Sequence, residues 1–224
     1  MGQGPASTVD IYDRIIRYFQ VELGVKYIRD YPPMIIHSVP TPDLVFSEAD
    51  RNATVKALSD SVKLLERDGA DFIVITCLSL HSFHAKLQRL TKIPIIDFSK
   101  IIANHITISG FTNIGILGTN TTIQNRVITQ FLSKKIQISL PNEKSQIVLG
   151  KIILRIIAGR SAKKDKALLI EICTELINKG AEAVLLACTE LPLIVSQKDC
   201  AFPIIDCNSF FAEKTAEYAI IKDH

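Results

Sequence analysis

The sequence lacks any apolar run long enough to cross a bilayer. Runs such as Phe72–Ile75 and Ala183–Ala187 are strand-length, far short of the roughly 18 residues a span requires. It has no CxxC pair, and its five cysteines are an odd number in mostly apolar surroundings. That pattern argues against a disulfide framework and a zinc cluster, leaving free thiols as the expectation; Cys173, Cys200 and Cys207 read as small buried hydrophobes. Low-complexity and long polar tracts are missing, and 47% hydrophobic with 22% charged residues is the composition of a folded globular protein. Excess charge is small, +3 over 224 residues. The densest basic stretches, Lys134-Lys135 and Lys163-Lys164-Asp165-Lys166, carry no interleaved aromatics and read as solvated helix faces or loops, so no nucleic-acid partner is expected. Residues 1–10 show neither a basic patch before an apolar stretch nor a small-residue cleavage site, which makes a cytoplasmic protein the expectation.

What is present is a duplication. Gly69-Ala70-Asp71-Phe72-Ile73-Val74-Ile75-Thr76-Cys77 and Gly180-Ala181-Glu182-Ala183-Val184-Leu185-Leu186-Ala187-Cys188 each start Gly-Ala-acid, run through short apolar stretches and end on a cysteine. A second echo follows each copy, Ile93-Pro94-Ile95-Ile96-Asp97 and Phe202-Pro203-Ile204-Ile205-Asp206. A repeat of about 110 residues favours two lobes, each large enough for its own core.

Apolar periodicity predicts helices over 9–21, 49–68, 79–90, 99–109, 123–132, 145–158, 166–179 and 209–221, and strands over 34–38, 72–76, 93–96, 114–118, 137–140, 183–187 and 203–205. Alternating strands and helices call for an α/β fold of two pseudo-symmetric lobes, each a mostly parallel sheet flanked by helices, with the site in the cleft between them. Residues 1–97 with 206–224 form the expected first lobe, carrying Cys77, and 98–205 the second, carrying Cys188. The second lobe opens on a strand, 114–118, before its hydroxyl-rich turn, whereas the first opens directly on the turn-like Met1-Gly2-Gln3-Gly4-Pro5; one strand is expected ahead of residue 1. Ligands bind beyond the C-terminal ends of parallel strands, where Ser38, Cys77, Thr119 and Cys188 fall.

A cysteine between a strand and a helix N-terminus has its pKa drawn down from about 8.5 toward neutrality. Two such thiols facing one another can remove a proton from a tetrahedral carbon on one side and return one on the other, inverting the centre. Ser79, Thr189 and the turn Thr119–Thr122 supply hydroxyls and amides suited to a carboxylate, so the implied ligand is a small acid. The same cysteines also fit as small buried residues of a repeated unit, and the residues alone leave both readings open. His81, four residues after Cys77, offers a third: a Cys/His hydrolase acting through Cys77 alone.

Several motifs resemble one family. Gly2-Gln3-Gly4-Pro5-Ala6-Ser7-Thr8 is similar to the opening Gly-Gly-x-Gly-Pro-x-Ala-Thr of the aspartate racemase-like branch of the aspartate/glutamate racemases. Thr76-Cys77-Leu78-Ser79-Leu80-His81 resembles its Pro-Cys-Asn-Thr-Ala-His, Leu117-Gly118-Thr119-Asn120-Thr121-Thr122 its Leu-Ala-Thr-x-Gly-Thr, and Ala187-Cys188-Thr189-Glu190 its Gly-Cys-Thr-Glu. The resemblance runs the full length and implies amino-acid racemisation without pyridoxal phosphate or metal, on acidic or related amino acids, commonly in a homodimer. It implies Cys77 and Cys188 as the proton donor and acceptor. It places Ser38, Leu78, Ser79, Thr119, Thr122, Thr189 and Glu190 at the substrate, with Gly4, Thr8 and His81 in support. Three positions depart from the pattern: Leu78 replaces Asn, Leu80 replaces Ala, and Leu44 stands where the branch has an arginine for the side-chain carboxylate. A catalytically degenerate small-acid binding protein of the same fold is the alternative.

Overall fold

The computed structural model describes residues 1–46 and 50–222; the start of the helix expected from Ala49 lies outside them. Eight α-helices and four β-strands are found along the described residues. Helices α1 (Pro5–Val21), α2 (Arg51–Arg67), α3 (His84–Gln88) and α4 (Phe98–Ile108) precede strand β1 (Asn113–Leu117). Then come α5 (Asn120–Gln124), β2 (Gln137–Ser139), α6 (Glu143–Ile157), α7 (Lys163–Asn178), β3 (Ala183–Leu186), β4 (Ile204–Asp206) and α8 (Cys207–Lys222). No helix is long and apolar enough to cross a membrane among these residues.

The four strands form one parallel sheet in the order β2-β1-β3-β4. Its side chains alternate between two cores, as the period of two requires. Ile114, Ile116, Ala183 and Leu185 pack with Phe98 and Ile102 of α4, Ile11 and Ile15 of α1 and Phe211 of α8. Leu117, Val184 and Leu186 pack on the other face with Leu149, Ile152 and Ile153 of α6 and Leu169 and Leu176 of α7. A sheet buried on both faces explains why these strands read as continuous apolar runs. Both copies of the repeat begin on a glycine at positive φ, Gly69 at 87° after α2 and Gly180 at 93° after α7, where a Cβ would be strained.

The first half is reduced. The expected strands over 34–38, 72–76 and 93–96 survive only as two parallel bridges, Gly2 with Ser38 and Ile73 with Ile95. Met1-Gly2 runs between the first two of these segments and bonds to both. Gly2 N donates to His37 O (3.0 Å), Val39 N to Gly2 O (2.8 Å) and Thr76 N to Met1 O (3.0 Å). Two expected helices also differ: 79–90 divides into a 3-10 turn, Ser79–Phe83, followed by α3, and 123–132 is interrupted at Arg126, φ 51°.

The Met1 amino group is buried, donates to Val74 O at 2.8 Å, and has its pKa lowered to about 5 by desolvation. Because the unfolded chain binds that proton up to about pH 8, this group makes stability rise with pH between about 5 and 8. The expected gain is on the order of 4 kcal/mol at 1.36 kcal/mol per unit of pKa. Chemical denaturation at pH 5 and pH 8 checks it; acetylation of the amino group should flatten the dependence.

Candidate active site

Cys77 follows the 72–76 segment and Cys188 follows β3, and both line one cavity of about 110 Å³ with Glu190, Ser79 and Thr119. Gln3 and Gly4 line it too, with Asp43, Leu44 and Val45 from the loop after Val39, and Ile153 and Ile157 from α6. Ser79 Oγ sits 2.9 Å from Thr119 Oγ1 and 2.8 Å from Thr122 Oγ1, which are themselves 3.0 Å apart. Thr119 is the N-cap of α5, accepting from Thr122 N at 3.1 Å. The cap thus fixes the triad of hydroxyls at the strand end.

Glu190 dominates the other side. Its Oε1 accepts from Ser7 Oγ (3.0 Å) and its Oε2 from Cys188 Sγ (3.1 Å) and Thr189 Oγ1 (3.3 Å). The carboxylate is buried and, among the described residues, forms no ion pair with a lysine or arginine. A buried carboxylate with only neutral donors is incompletely compensated. The loop that carries it is held by Asn208, whose Nδ2 donates to Thr189 O (2.9 Å) and Asp10 Oδ2 (2.8 Å). Arg14 in turn bridges Asp10 and Asp206.

The thiols do not sit where a strand-to-helix junction alone would put them. Burial, then the nearby Glu190 charge, pushes Cys77 up to about 12 despite the Leu80 and Ser79 amides. The same two causes raise Cys188 well above its ordinary value, and the hydrogen bond to Glu190 adds to them. The expected lowering is therefore reversed: two backbone amides at Cys77 and one at Cys188 lose to desolvation and a like charge. Cys77 Sγ donates to Gln3 Oε1 at 3.4 Å, and Gln3 Nε2 is anchored on Pro42 O at 3.0 Å.

The remaining expected site residues lie around or away from this cavity. Thr122 and Thr189 stand behind it, bonded to Ser79 and Glu190. Thr8 bonds Gly4 O (2.7 Å) and Thr76 (3.2 Å), buttressing the opening turn. Ser38 is exposed and pairs with Gly2, outside the cavity lining, and Leu78 turns its side chain into the core beside Phe98 rather than toward the ligand. His81 is buried: its Nδ1 meets Cys77 O at 3.0 Å, its Nε2 has no partner, and burial lowers its pKa to about 4. Neither ring nitrogen reaches the thiol sulfur, so the pairing a Cys/His hydrolase requires is not formed. Gln3, Ser7, Asn208, Ile153 and Ile157 were not foreseen. Ser7 and Gln3 lie inside the opening motif and were within reach; the α6 isoleucines carry no local signal. Among the described residues no cluster of three or more His, Cys, Asp or Glu is placed to hold a metal ion.

Two thiols, a buried carboxylate and a triad of hydroxyls thus surround one small cavity. The model of the Asp/Glu/Hydantoin racemase family matches residues 1–215. The chain belongs to this family. The Broad specificity amino-acid racemase RacX of Bacillus subtilis (strain 168) is 28% identical over 214 residues, 96% of this chain and 93% of that one. An aspartate racemase homologue from Pyrococcus horikoshii OT3 is 26% identical with TM-score 0.76, covering 98% of this chain and 97% of the other. The Picrophilus torridus aspartate racemase is 25% identical with TM-score 0.79, covering 97% and 91%.

At the cavity Gly4 leaves no room for a side chain. A Cβ there would collide with Glu190 Oε1 and lie 2.6 Å from Ser7 Oγ. Gly4→Ala is therefore expected to displace the carboxylate and lower kcat/KM at least about tenfold through misplacement of the site. Steady-state kinetics with a thermal-melt control checks it.

Proposed function

We propose that this racemase interconverts the enantiomers of an α-amino acid by two-base proton transfer between Cys77 and Cys188. The observation that carries the reading is that both thiols and the unpaired Glu190 carboxylate line one cavity. In this reading the substrate ammonium pairs with Glu190 and the α-carboxylate takes up hydroxyl donors from Ser79, Thr119 and Thr122. One thiolate removes the Cα proton while the opposite thiol delivers its own to the other face. The ammonium also offsets the charge that holds both thiols protonated, so binding brings their pKa values toward the working range.

The substrate side chain in this proposal is uncharged. Among the described lining residues none is lysine or arginine, the charged ones being Asp43 and Glu190, and Leu44, Val45, Ile153 and Ile157 face the same space. A side-chain carboxylate buried there would lack a cationic partner. The broad specificity stated for the Bacillus relative accords with this.

Proton NMR in heavy water tests it: loss of the Cα proton signal is expected for neutral amino acids, faster than for aspartate or glutamate. Exchange restricted to the acidic pair would overturn the specificity, and tight calorimetric binding without any exchange would favour the binding-protein alternative. The rate should also climb with pH. Because burial and Glu190 raise both thiols, kcat/KM is expected to increase by about tenfold per pH unit between about pH 6 and 8, tracking the thiolate; a flat profile would contradict the role given to the thiols.

A further inference from the structure

Gln3 and Thr119 stand at equivalent places in the two halves. Thr76 N donates to Met1 O (3.0 Å) as Ala187 N donates to Leu117 O (2.7 Å), each one residue before a cysteine. Two residues beyond each acceptor come Gln3 and Thr119, just ahead of α1 and α5. Thr119 is spent on its own turn, where its hydroxyl caps α5 and joins Ser79 and Thr122. Gln3 caps nothing, since α1 starts from Gly4 with no side-chain cap. Its longer side chain reaches a thiol and a loop instead.

The amide of Gln3 is oriented by its partners. Pro42 offers a carbonyl, which only accepts, so the group facing it at 3.0 Å is the NH2. The side-chain oxygen is thereby turned to Cys77 Sγ at 3.4 Å. That oxygen also only accepts, so the sulfur donates, and the contact holds the thiol with its proton in place. Cys188 is held differently, donating to the Glu190 carboxylate at 3.1 Å. One thiol is fixed by a neutral amide and the other by an anion.

Pro42 belongs to the loop that covers the cavity. Its neighbours Pro40, Thr41, Asp43, Leu44 and Val45 line the cavity, and Leu44 and Val45 are buried. The loop is pinned by Gln3 at Pro42 and by Asn120, whose backbone N–H donates to Val45 O at 3.0 Å. Asn120 directly follows Thr119, so the loop is tied to the opening turns of both halves. Of these two ties, the one at Gln3 continues to a thiol.

We propose that Gln3 is a positioning residue that clamps the Cys77 thiol to the loop at Pro42, so that the loop over the cavity aims Cys77 while Glu190 aims Cys188. This rests on Cys77 acting on the substrate, as proposed above. With the clamp cut, the thiol gives up its proton more readily and meets small reagents more easily. It meets the substrate Cα less often in reactive geometry. The two reactivities of Cys77 therefore move in opposite directions, which a loss of folding would not produce.

Gln3→Met keeps the length of the side chain, removes both hydrogen bonds and provides the test. Iodoacetamide labelling without substrate, followed by peptide mass analysis, reads each thiol in the chain that keeps both cysteines. Cys77 is expected to be alkylated at least about threefold faster in Gln3→Met, while Cys188 changes by less than about twofold. Cα exchange in heavy water is then read in single-thiol chains. Adding Gln3→Met to Cys188→Ser is expected to slow exchange at least about tenfold, and adding it to Cys77→Ser by less than about twofold. Alkylation that is unchanged, or accelerated equally at the two cysteines, would overturn the clamp, as would equal slowing of exchange in the two chains. Absence of exchange from both single-thiol parents would overturn the two-base reading itself, and the alkylation rates would still decide the clamp.

Discussion

Replacing either thiol by serine is expected to lower enantiomer interconversion by about 10²- to 10⁴-fold, the span that general acid–base groups contribute. Serine keeps the shape but not the acidity, and the cavity supplies no substitute: Cys77 Sγ meets the Gln3 amide oxygen, and His81 bonds the Cys77 carbonyl rather than the sulfur. The two single variants should differ in a telling way. With Cys188→Ser, Cys77 can still remove and return a proton on its own face, so one enantiomer should exchange its Cα proton with solvent without inverting. Cys77→Ser should show the same for the other enantiomer. The double variant should do neither. Chiral chromatography paired with Cα deuterium incorporation reads both, and a single variant that racemises at the parent rate would remove its cysteine from the mechanism.

The second large effect is expected at Glu190. Glu190→Gln preserves size and an acceptor for Ser7 and Thr189, but removes the charge that awaits the substrate ammonium. A hydrogen bond to a charged group contributes about 1.5–3 kcal/mol, so KM is expected to rise about 10- to 100-fold. The same change removes the charge that, after burial, does most to raise Cys77 and Cys188. The rise of kcat with pH should consequently shift to lower pH. This combination, weaker binding with easier thiol ionisation, separates a ligand-pairing role from a purely structural one, which would lower stability and leave the pH profile in place. An unchanged KM would contradict the placement of the ammonium.

Much of the site could be read from the repeat. The duplicated Gly-Ala-acid-to-cysteine segment marks both thiols, and the motifs around it mark Ser79, Thr119 and Glu190, all of which line the cavity. The α/β character followed from alternating apolar runs, because a parallel sheet covered on both faces makes its strands apolar throughout. What was not legible depends on distant partners. Residues 34–38 and 72–76 are largely apolar, yet a ladder depends on partners distant in sequence, and here the pairing is confined to isolated bridges, Gly2 with Ser38 and Ile73 with Ile95. The lowering of the thiol pKa was a local argument, overturned by burial and by Glu190. Leu78 adjoins Cys77 in sequence but belongs to the core, whereas Ile153 and Ile157, far away on α6, reach the cavity. The direction of a side chain and the dielectric around it come from packing, which spacing alone does not carry.

The central claim is that two different thiols serve opposite faces of one carbon, and a single experiment in heavy water addresses it directly. One pure enantiomer of a neutral amino acid is supplied, and the Cα isotope is read in both product and recovered substrate during the first few per cent of conversion. Two thiols predict product carrying deuterium at Cα while the recovered substrate stays protiated. Deuterium entering the recovered substrate as fast as the product, or product that keeps its original proton, would show one base working on both faces and contradict the account.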